Sequence, residues 1–137
     1  MEPATVFPSL TYDDASAAVA FLVDAFGAEK HAFYAGDDGT VHHAELRFGN
    51  GLVMLGNSRP DYPATRGGGG GIYVFIEDVD AHHARARQAG VEITQELRDT
   101  EYGSREYGAV DTEGNRWWFG TYQPFAYDHS VEEAVHA

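Results

Sequence analysis

The chain carries the same order of predicted elements twice, once on each side of a run of five glycines at 67–71. Alternating apolar residues predict strands, and apolar residues at three- and four-residue steps predict helices. Both halves, at about 5–57 and about 71–123, give the order β, α, β, β, β. Because one short chain must bury the apolar faces of both halves, this repeat predicts an α+β domain made of two tandem βαβββ modules.

Local signals define the ends of the two predicted helices. Asp13-Asp14 occupies the N-cap position of a helix over 15–26, and Gly27 provides its stop. The second predicted helix covers 78–89 and ends before Gly90. The predicted strands are 6–12, 30–34, 41–48, 52–55, 72–76, 91–97, 106–111 and 116–122.

The glycine-rich segment at 66–71 is predicted to be a linker, because consecutive glycines are too flexible for the inside of a helix or strand. It does not match a phosphate-binding loop, since no Lys-Ser or Lys-Thr pair follows it and the next predicted element is a strand. The predicted domain covers 1–125, and 126–137 is predicted to be an acidic polar tail or a short marginal helix.

Composition excludes several classes of protein. With 22 acidic and 9 basic residues the formal charge is −13, so the chain lacks the basic surface that nucleic-acid binding requires. No stretch approaches the roughly 20 apolar residues of a membrane span, and the N-terminus lacks the features of a signal peptide. The chain has no cysteine, and we expect a soluble, cytoplasmic protein. The acidic charge favours solubility or a cationic small-molecule ligand.

One motif near the end of the second half is more specific than the order of elements. It consists of Tyr102-Gly103-Ser104-Arg105 followed by the segment Asp-Thr-Glu-Gly-Asn-Arg-Trp at 111–117. Together with the repeat, it resembles the vicinal-oxygen-chelate superfamily of glyoxalases, bleomycin-resistance proteins and extradiol dioxygenases, and above all the bleomycin-resistance-like branch. The resemblance covers about 5–123 and implies a curled mixed sheet around a cleft, with helices on the outside.

The resemblance also implies where a metal would be bound. In metal-using members, His or Glu side chains from four strands converge in the cleft. The corresponding positions in this sequence are Phe7, Met54, Gly71 and Trp118. None of these residues binds a hard divalent cation, so we expect no metal cofactor. Phe7, Met54 and Trp118 are expected either to line a cleft that suits a flat ligand or to fill it as core.

The strand at 41–48 offers the best candidates for acid–base chemistry. Ala44, Leu46 and Phe48 alternate with polar residues and are expected to pack on the helices. His43 and Glu45 share the other face, where they could act as an acid–base pair or bind a ligand. An exposed or merely hydrogen-bonded strand face is the alternative.

Further candidates lie in the second half of the chain. The resemblance places Tyr102 and Arg105 where the chain closes over the cleft, and Arg105 could bind a ligand carboxylate or phosphate, or form an ion pair that holds the loop. Alternation predicts that Trp117 packs beneath the helices and Trp118 points into the cleft. The adjacent histidines at 82 and 83 are expected on the solvated side of the second helix.

Three functions remain open at this point. The first is a metal-free protein that binds a small molecule, aromatic or cationic, and acts by sequestration, such as binding an antibiotic. The second is an enzyme of the same fold with His43 or Glu45 as general base. The third is a degenerate domain with a structural or regulatory role. In each case we expect a homodimer, because each module leaves strand edges and part of the cleft to be completed by another.

Overall fold

The computed structural model describes residues 4–126, so the predicted tail lies, beyond its first residue, outside the described residues. The elements follow the predicted order in both halves. They are β1 (Ser9–Tyr12), α1 (Ala15–Phe26), β2 (Glu29–Ala35), β3 (Val41–Phe48), β4 (Gly51–Asn57), β5 (Gly71–Phe75), α2 (Val79–Gln88), β6 (Glu92–Asp99), β7 (Arg105–Val110), β8 (Arg116–Gly120) and a 3-10 turn (Pro124–Ala126).

The strands form two four-stranded sheets within residues 4–126, with the orders β1-β4-β3-β2 and β5-β8-β7-β6. In each sheet the first pair is parallel and the other two pairs are antiparallel. The two sheets therefore have the same topology, which confirms an α+β fold of two tandem βαβββ modules. None of the helices in the described part of the chain is long and apolar enough to span a membrane.

Helix α1 has the bounds that its local signals predict. The side chain of Asp14 accepts a hydrogen bond from the Ala17 N–H at 3.1 Å, which satisfies one of the free donors at the helix start. Gly27 adopts a φ of 80°, a left-handed conformation that suits glycine at the end of a helix.

The two modules share one core. Both helices contact each other, and the Phe26 ring of α1 lies 5.6 Å from the Trp117 ring and 4.8 Å from the Phe119 ring of β8, measured between centroids. A buried polar group adds a second connection. The Tyr12 hydroxyl donates to Asp111 Oδ2 at 2.5 Å, and burial raises the pKa of this tyrosine well above its ordinary range. The first module is therefore bonded to the second through both apolar and polar contacts.

The glycine-rich segment differs from a free linker in two respects. Gly71 is the first residue of β5, so the prediction that all five glycines lie outside an element is wrong for that residue. At the other end, the Gly67 N–H donates to Asn115 Oδ1 at 2.8 Å, and a Cβ on Gly67 would stand 2.8 Å from the Gly114 carbonyl oxygen. An ion pair between Arg66 and Asp13 also holds this end.

The prediction that His82 lies on the solvated side of α2 is wrong. Its ring is half-buried between the modules, with Nδ1 2.6 Å from the Tyr107 hydroxyl and Nε2 2.8 Å from the Phe26 carbonyl oxygen. The Phe119 ring lies 4.3 Å away between centroids. Desolvation lowers the pKa of His82 below its ordinary value, which favours the neutral ring.

Candidate functional site

Each sheet has one face toward the helices and one face away from them. On the helix side, side chains such as Ala44, Leu46 and Phe119 are fully buried. Strand alternation places the intervening residues on the opposite side. The first outer face, on the sheet of the first module, carries Ser9, Thr11, His43, Glu45 and Met54. The second outer face, on the sheet of the second module, carries Tyr73, Phe75, Glu106, Gly108 and Trp118.

The registers of the two sheets show which residues correspond. Met54 stands between Ser9 and Glu45 in the first sheet. Trp118 stands between Tyr73 and Gly108 in the second sheet. Met54 and Trp118 therefore occupy equivalent positions, as do Glu45 and Gly108. Two residues earlier along the same strands, His43 of β3 corresponds to Glu106 of β7.

The first outer face is polar. His43 Nε2 lies 2.8 Å from Glu45 Oε2, so the predicted pair is in hydrogen-bonding contact. The spacing of residues in the sequence gave no reason to select His31. In the structure its Nδ1 lies 2.7 Å from an Arg47 guanidinium nitrogen.

A cavity of about 310 Å³ adjoins His43 of this pair. It lies over β1, β4 and the start of β3 and is bordered by the loop that carries Arg59 and Tyr62. Its walls include Ser9, Thr11, His42, His43, Met54, Arg59 and Tyr62. His43 and Met54 therefore face one common space, which mixes imidazole, thioether and guanidinium groups.

The second outer face is aromatic. The Trp118 indole is half-buried and lies against Gly108, where a Cβ would stand 2.6 Å from Cζ3 of the indole. Its neighbour Trp117 is fully buried on the helix side and donates from Nε1 to Asp111 Oδ2 at 3.0 Å. This confirms the predicted alternation of the two tryptophans. Glycine at 108 leaves room for a large flat ring on the outer face.

A buried carboxylate that the sequence analysis missed lies beside this indole. Glu106 is only 8% exposed, although it lies on the outer face. Its Oε1 accepts from the Tyr102 hydroxyl at 2.9 Å, and its Oε2 accepts from the Ser104 hydroxyl at 3.1 Å. The bond to Glu106 raises the pKa of Tyr102. Because Tyr107 is buried on the helix side, strand alternation places Glu106 on the outer face. This alternation was the signal in the sequence that could have identified Glu106.

Arg105 lies on the other side of β7, in phase with Tyr107. Its guanidinium group contacts Asp80 Oδ1 and Asp99 Oδ1, each at 3.1 Å. Of the two roles considered for Arg105, the structure shows the ion pair. The carboxylates of Asp80 in α2 and Asp99 in β6 bind the Arg105 side chain. This side chain points away from Trp118.

Comparison with known proteins places this geometry in a family. Residues 5–119 match the family described as the Glyoxalase/Bleomycin resistance protein/Dioxygenase superfamily. The chain belongs to this superfamily.

Relatives within the superfamily include uncharacterized proteins. One from Mycobacterium bovis is 37% identical over 129 residues, which cover 88% of this chain and 84% of the relative. A protein of Mycobacterium tuberculosis has the same identity over 129 residues, covering 88% of this chain and 75% of its own length.

Solved structures show the same fold. TioX from Micromonospora sp. ML1 has a TM-score of 0.72 and 34% identity, with 85% of this chain and 94% of that chain covered. TnmS3 from Streptomyces sp. CB03234, described as an antibiotic binding protein, has a TM-score of 0.68 and 24% identity, with 87% and 96% covered.

The four positions at which the resemblance implies metal ligands carry no suitable donor in this chain. Met54 and Trp118 offer no oxygen or imidazole donor, Gly71 has no side chain, and Phe7, 42% exposed, precedes β1. Within residues 4–126 no three His, Cys, Asp or Glu side chains are grouped so as to hold a metal ion.

The predicted ligand-binding residues divide between two surfaces. His43, Glu45 and Met54 lie on the first outer face, whereas Tyr102 and Trp118 belong to the second module. One chain therefore carries two chemically different candidate surfaces, one polar and one aromatic.

Proposed function

We propose that the protein binds a flat small molecule in the cytoplasm and acts by sequestering it, without a metal cofactor. The observation that carries this proposal is the half-buried Trp118 indole on the second outer face, which lies where the superfamily places a metal ligand. Such an indole offers a face for stacking, and aromatic pairs are worth about 0.5 to 1.5 kcal/mol beyond the area they bury. The equivalent position on the first outer face is Met54, whose flexible thioether adapts to aromatic surfaces.

The comparisons support a binding function. TnmS3 is described as an antibiotic binding protein, and its fold is that of this chain. An antibiotic is accordingly one class of ligand for the present protein. Aromatic side chains on the outer faces also favour a flat partner, since Tyr34 and Tyr73 are 62% and 38% exposed.

We further propose that two chains pair to complete the site. The polar half-site around His43 and the aromatic half-site around Trp118 lie on different sheets of one chain. A second copy could place its first outer face opposite the second outer face of this chain, which would enclose a ligand between them. Within residues 4–126, strands β1, β2, β5 and β6 each pair on one side only within their sheets, and a partner could pair with such edge strands.

Titration with acridine tests the binding function. Acridine is flat and, at mildly alkaline pH, uncharged, so stacking dominates its binding. In the wild type we expect saturable heat in calorimetry and a shift of the Trp118 indole N–H resonance, and in Trp118→Ala we expect the affinity measured by calorimetry to fall about tenfold or more. Phe125→Ala, at a side chain that is 97% exposed, is the matched control and should bind as the wild type does. Binding that is the same in Trp118→Ala would contradict the proposal, and no binding by any flat probe would favour a structural role.

One observation favours catalysis as a second candidate function. His43 Nε2 and Glu45 Oε2 are 2.8 Å apart beside the cavity of about 310 Å³, so Glu45 can orient the imidazole as a general base. Hydrogen–deuterium exchange at an acidic C–H of a bound carbonyl compound would test this. Exchange that is lost in His43→Gln but kept in His42→Gln would support an enzyme.

A further inference from the structure

Glu106 is a buried carboxylate that forms no ion pair with another residue of the part of the chain that the structure describes. Its side chain belongs to a residue that is 8% exposed, and its two oxygens accept hydrogen bonds from neutral hydroxyl groups. None of the ion pairs within 4.0 Å among residues 4–126 includes it. Arg98 lies opposite Glu106 in the register of β6 and β7, but this arginine is exposed and makes no such pair. Buried carboxylates are usually paired with a cation, so a positive charge from outside would stabilise this one.

Two tyrosine side chains, Tyr102 and Tyr73, reach the same carboxylate with their hydroxyl ends. The Tyr102 ring meets the Tyr122 ring edge to face, with 5.7 Å between centroids. The Tyr73 hydroxyl and Glu106 Oε2 border one space above Gly120, where a Cβ would stand 2.9 and 3.2 Å from them. Tyr73 is also the cross-strand neighbour of Trp118. Electron-rich ring faces attract cations, and they do so most strongly where water is excluded.

We infer that Glu106, with Tyr73 and Tyr102, forms a subsite for a positively charged nitrogen of the ligand, beside the ring that stacks on Trp118. The ligand class is then a planar aromatic cation, such as a ring that carries a quaternary or protonated nitrogen. This inference rests on the proposed binding function and adds to it the charge of the ligand. The specificity comes from one local carboxylate, not from the net charge of −13, which attracts any cation.

A structural role for Glu106 predicts different behaviour. If the carboxylate only holds the turn at 100–103 through Tyr102 and Ser104, removing either partner should loosen the turn. The affinity for every ligand should then fall by the same factor. A charge subsite instead discriminates between a cation and a neutral compound of the same shape. The measurable quantity is therefore the ratio of two affinities, which global changes in stability leave unaltered.

The test compares N-methylacridinium, a permanent cation, with acridine, its neutral analogue, by calorimetry at mildly alkaline pH. We expect the wild type to bind the cation about tenfold more tightly, the scale of one charge-assisted contact. Glu106→Gln keeps the size and should reduce the preference to about twofold or less. Ser104→Ala keeps the charge and should retain the preference. Glu101→Gln removes one exposed charge from the adjacent turn and should also retain it.

The outcomes separate this inference from the proposed function. Equal affinities for the two compounds in the wild type, with binding still dependent on Trp118, would overturn the charge subsite and leave the stacking site in place. The charge subsite would also be overturned if the preference for the cation persisted in Glu106→Gln. The same holds if the preference fell as much in Glu101→Gln as in Glu106→Gln. Failure of both compounds to bind would overturn both proposals. If Glu106→Gln does not fold, equal affinities of the wild type for the two compounds would still overturn the inference.

Discussion

The Trp118 indole is held against the backbone of Gly108 on the neighbouring strand, and a methyl group at 108 would stand 2.6 Å from Cζ3 and 2.9 Å from Cε3 of that ring. Separations this short force one group to move. Since Trp118 is half-buried on the outer face, its ring has room to rotate away from β7. The position of the candidate stacking surface thus depends on a glycine that no binding motif identifies.

We expect Gly108→Ala to displace this indole and to weaken acridine binding about tenfold. The substitution should also lower the free energy of unfolding by about 1 to 3 kcal/mol, because the added methyl group overpacks the site. Calorimetry and urea denaturation measure the two effects. Gly70→Ala is the control, because no atom lies within 4 Å of a Cβ at that position. Unchanged affinity in Gly108→Ala would show that the indole position does not matter for binding.

Trp117→Ala should act on stability instead. Trp117 is fully buried between Phe26, Phe48 and Phe119, and truncation of a buried tryptophan costs about 3 to 5 kcal/mol. Urea denaturation should show this loss, whereas Trp118→Ala should cost clearly less. The opposite order would mean that the assignment of the two faces of β8 is wrong.

The sequence predicted these faces because the signals are local. The alternation along β3 and β8 depends only on neighbouring residues, and both Leu46 and Trp117 are buried as expected. The bounds of α1 follow from the capping side chain of Asp14 and the left-handed Gly27. Such features need no knowledge of distant parts of the chain.

Stability should also depend on pH through His82. Burial lowers the pKa of His82 below its ordinary value of 6.5, so the unfolded chain binds a proton at a pH where the folded chain does not. The stabilisation is fully present above about pH 6.5 and is lost as the pH falls through the folded-state pKa. Urea denaturation across this window should show a flatter profile for His82→Gln than for the wild type.

The exposed His42 provides the control for this prediction. His42→Gln leaves the half-buried His82 in place and should therefore keep the wild-type dependence on pH. Equal slopes for the wild type and His82→Gln would contradict the role assigned to His82.

Contacts between the modules account for what sequence reasoning did not find. Helix α2 buries only Val79 and Ala86 fully, so its own pattern does not show that His82 faces inward. That orientation depends on the Phe26 carbonyl, which lies 56 residues away in sequence. The polar core contact between Tyr12 and Asp111 spans 99 residues and is equally invisible to local patterns. Asp111 accepts hydrogen bonds from the N–H groups of Glu113 and Asn115 in its own turn, and it also joins the modules.

Elemental analysis tests the expectation of a metal-free site. Purified protein without a histidine tag should contain zinc, nickel, manganese and iron far below one equivalent per chain, because Met54 and Trp118 provide no suitable donor. Met54→Glu, at the position equivalent to Trp118, is the comparison variant. A stoichiometric metal in the wild type that is lost on changing residues around Met54 would contradict the expectation.

Sedimentation tests the proposed pairing of chains. We expect a species of twice the 15.0 kDa chain mass at micromolar concentration. Phe75→Asp, on the second outer face and 37% exposed, should shift the equilibrium toward the single chain, since a buried unpaired charge is costly at an interface. Phe125→Asp is the control. A 15.0 kDa species in the wild type would contradict the pairing.

The shared core of the two modules has a consequence for how such pairs would form. Exchange of halves between chains would separate Phe26 from Trp117 and break the bond from Tyr12 to Asp111. Neither module would have a complete core until the same contacts re-formed with the partner chain. Subunits should therefore associate and dissociate as intact folded chains. When two isotopically distinct populations are mixed, native mass spectrometry should detect hybrid dimers at a rate set by dissociation, far faster than global unfolding.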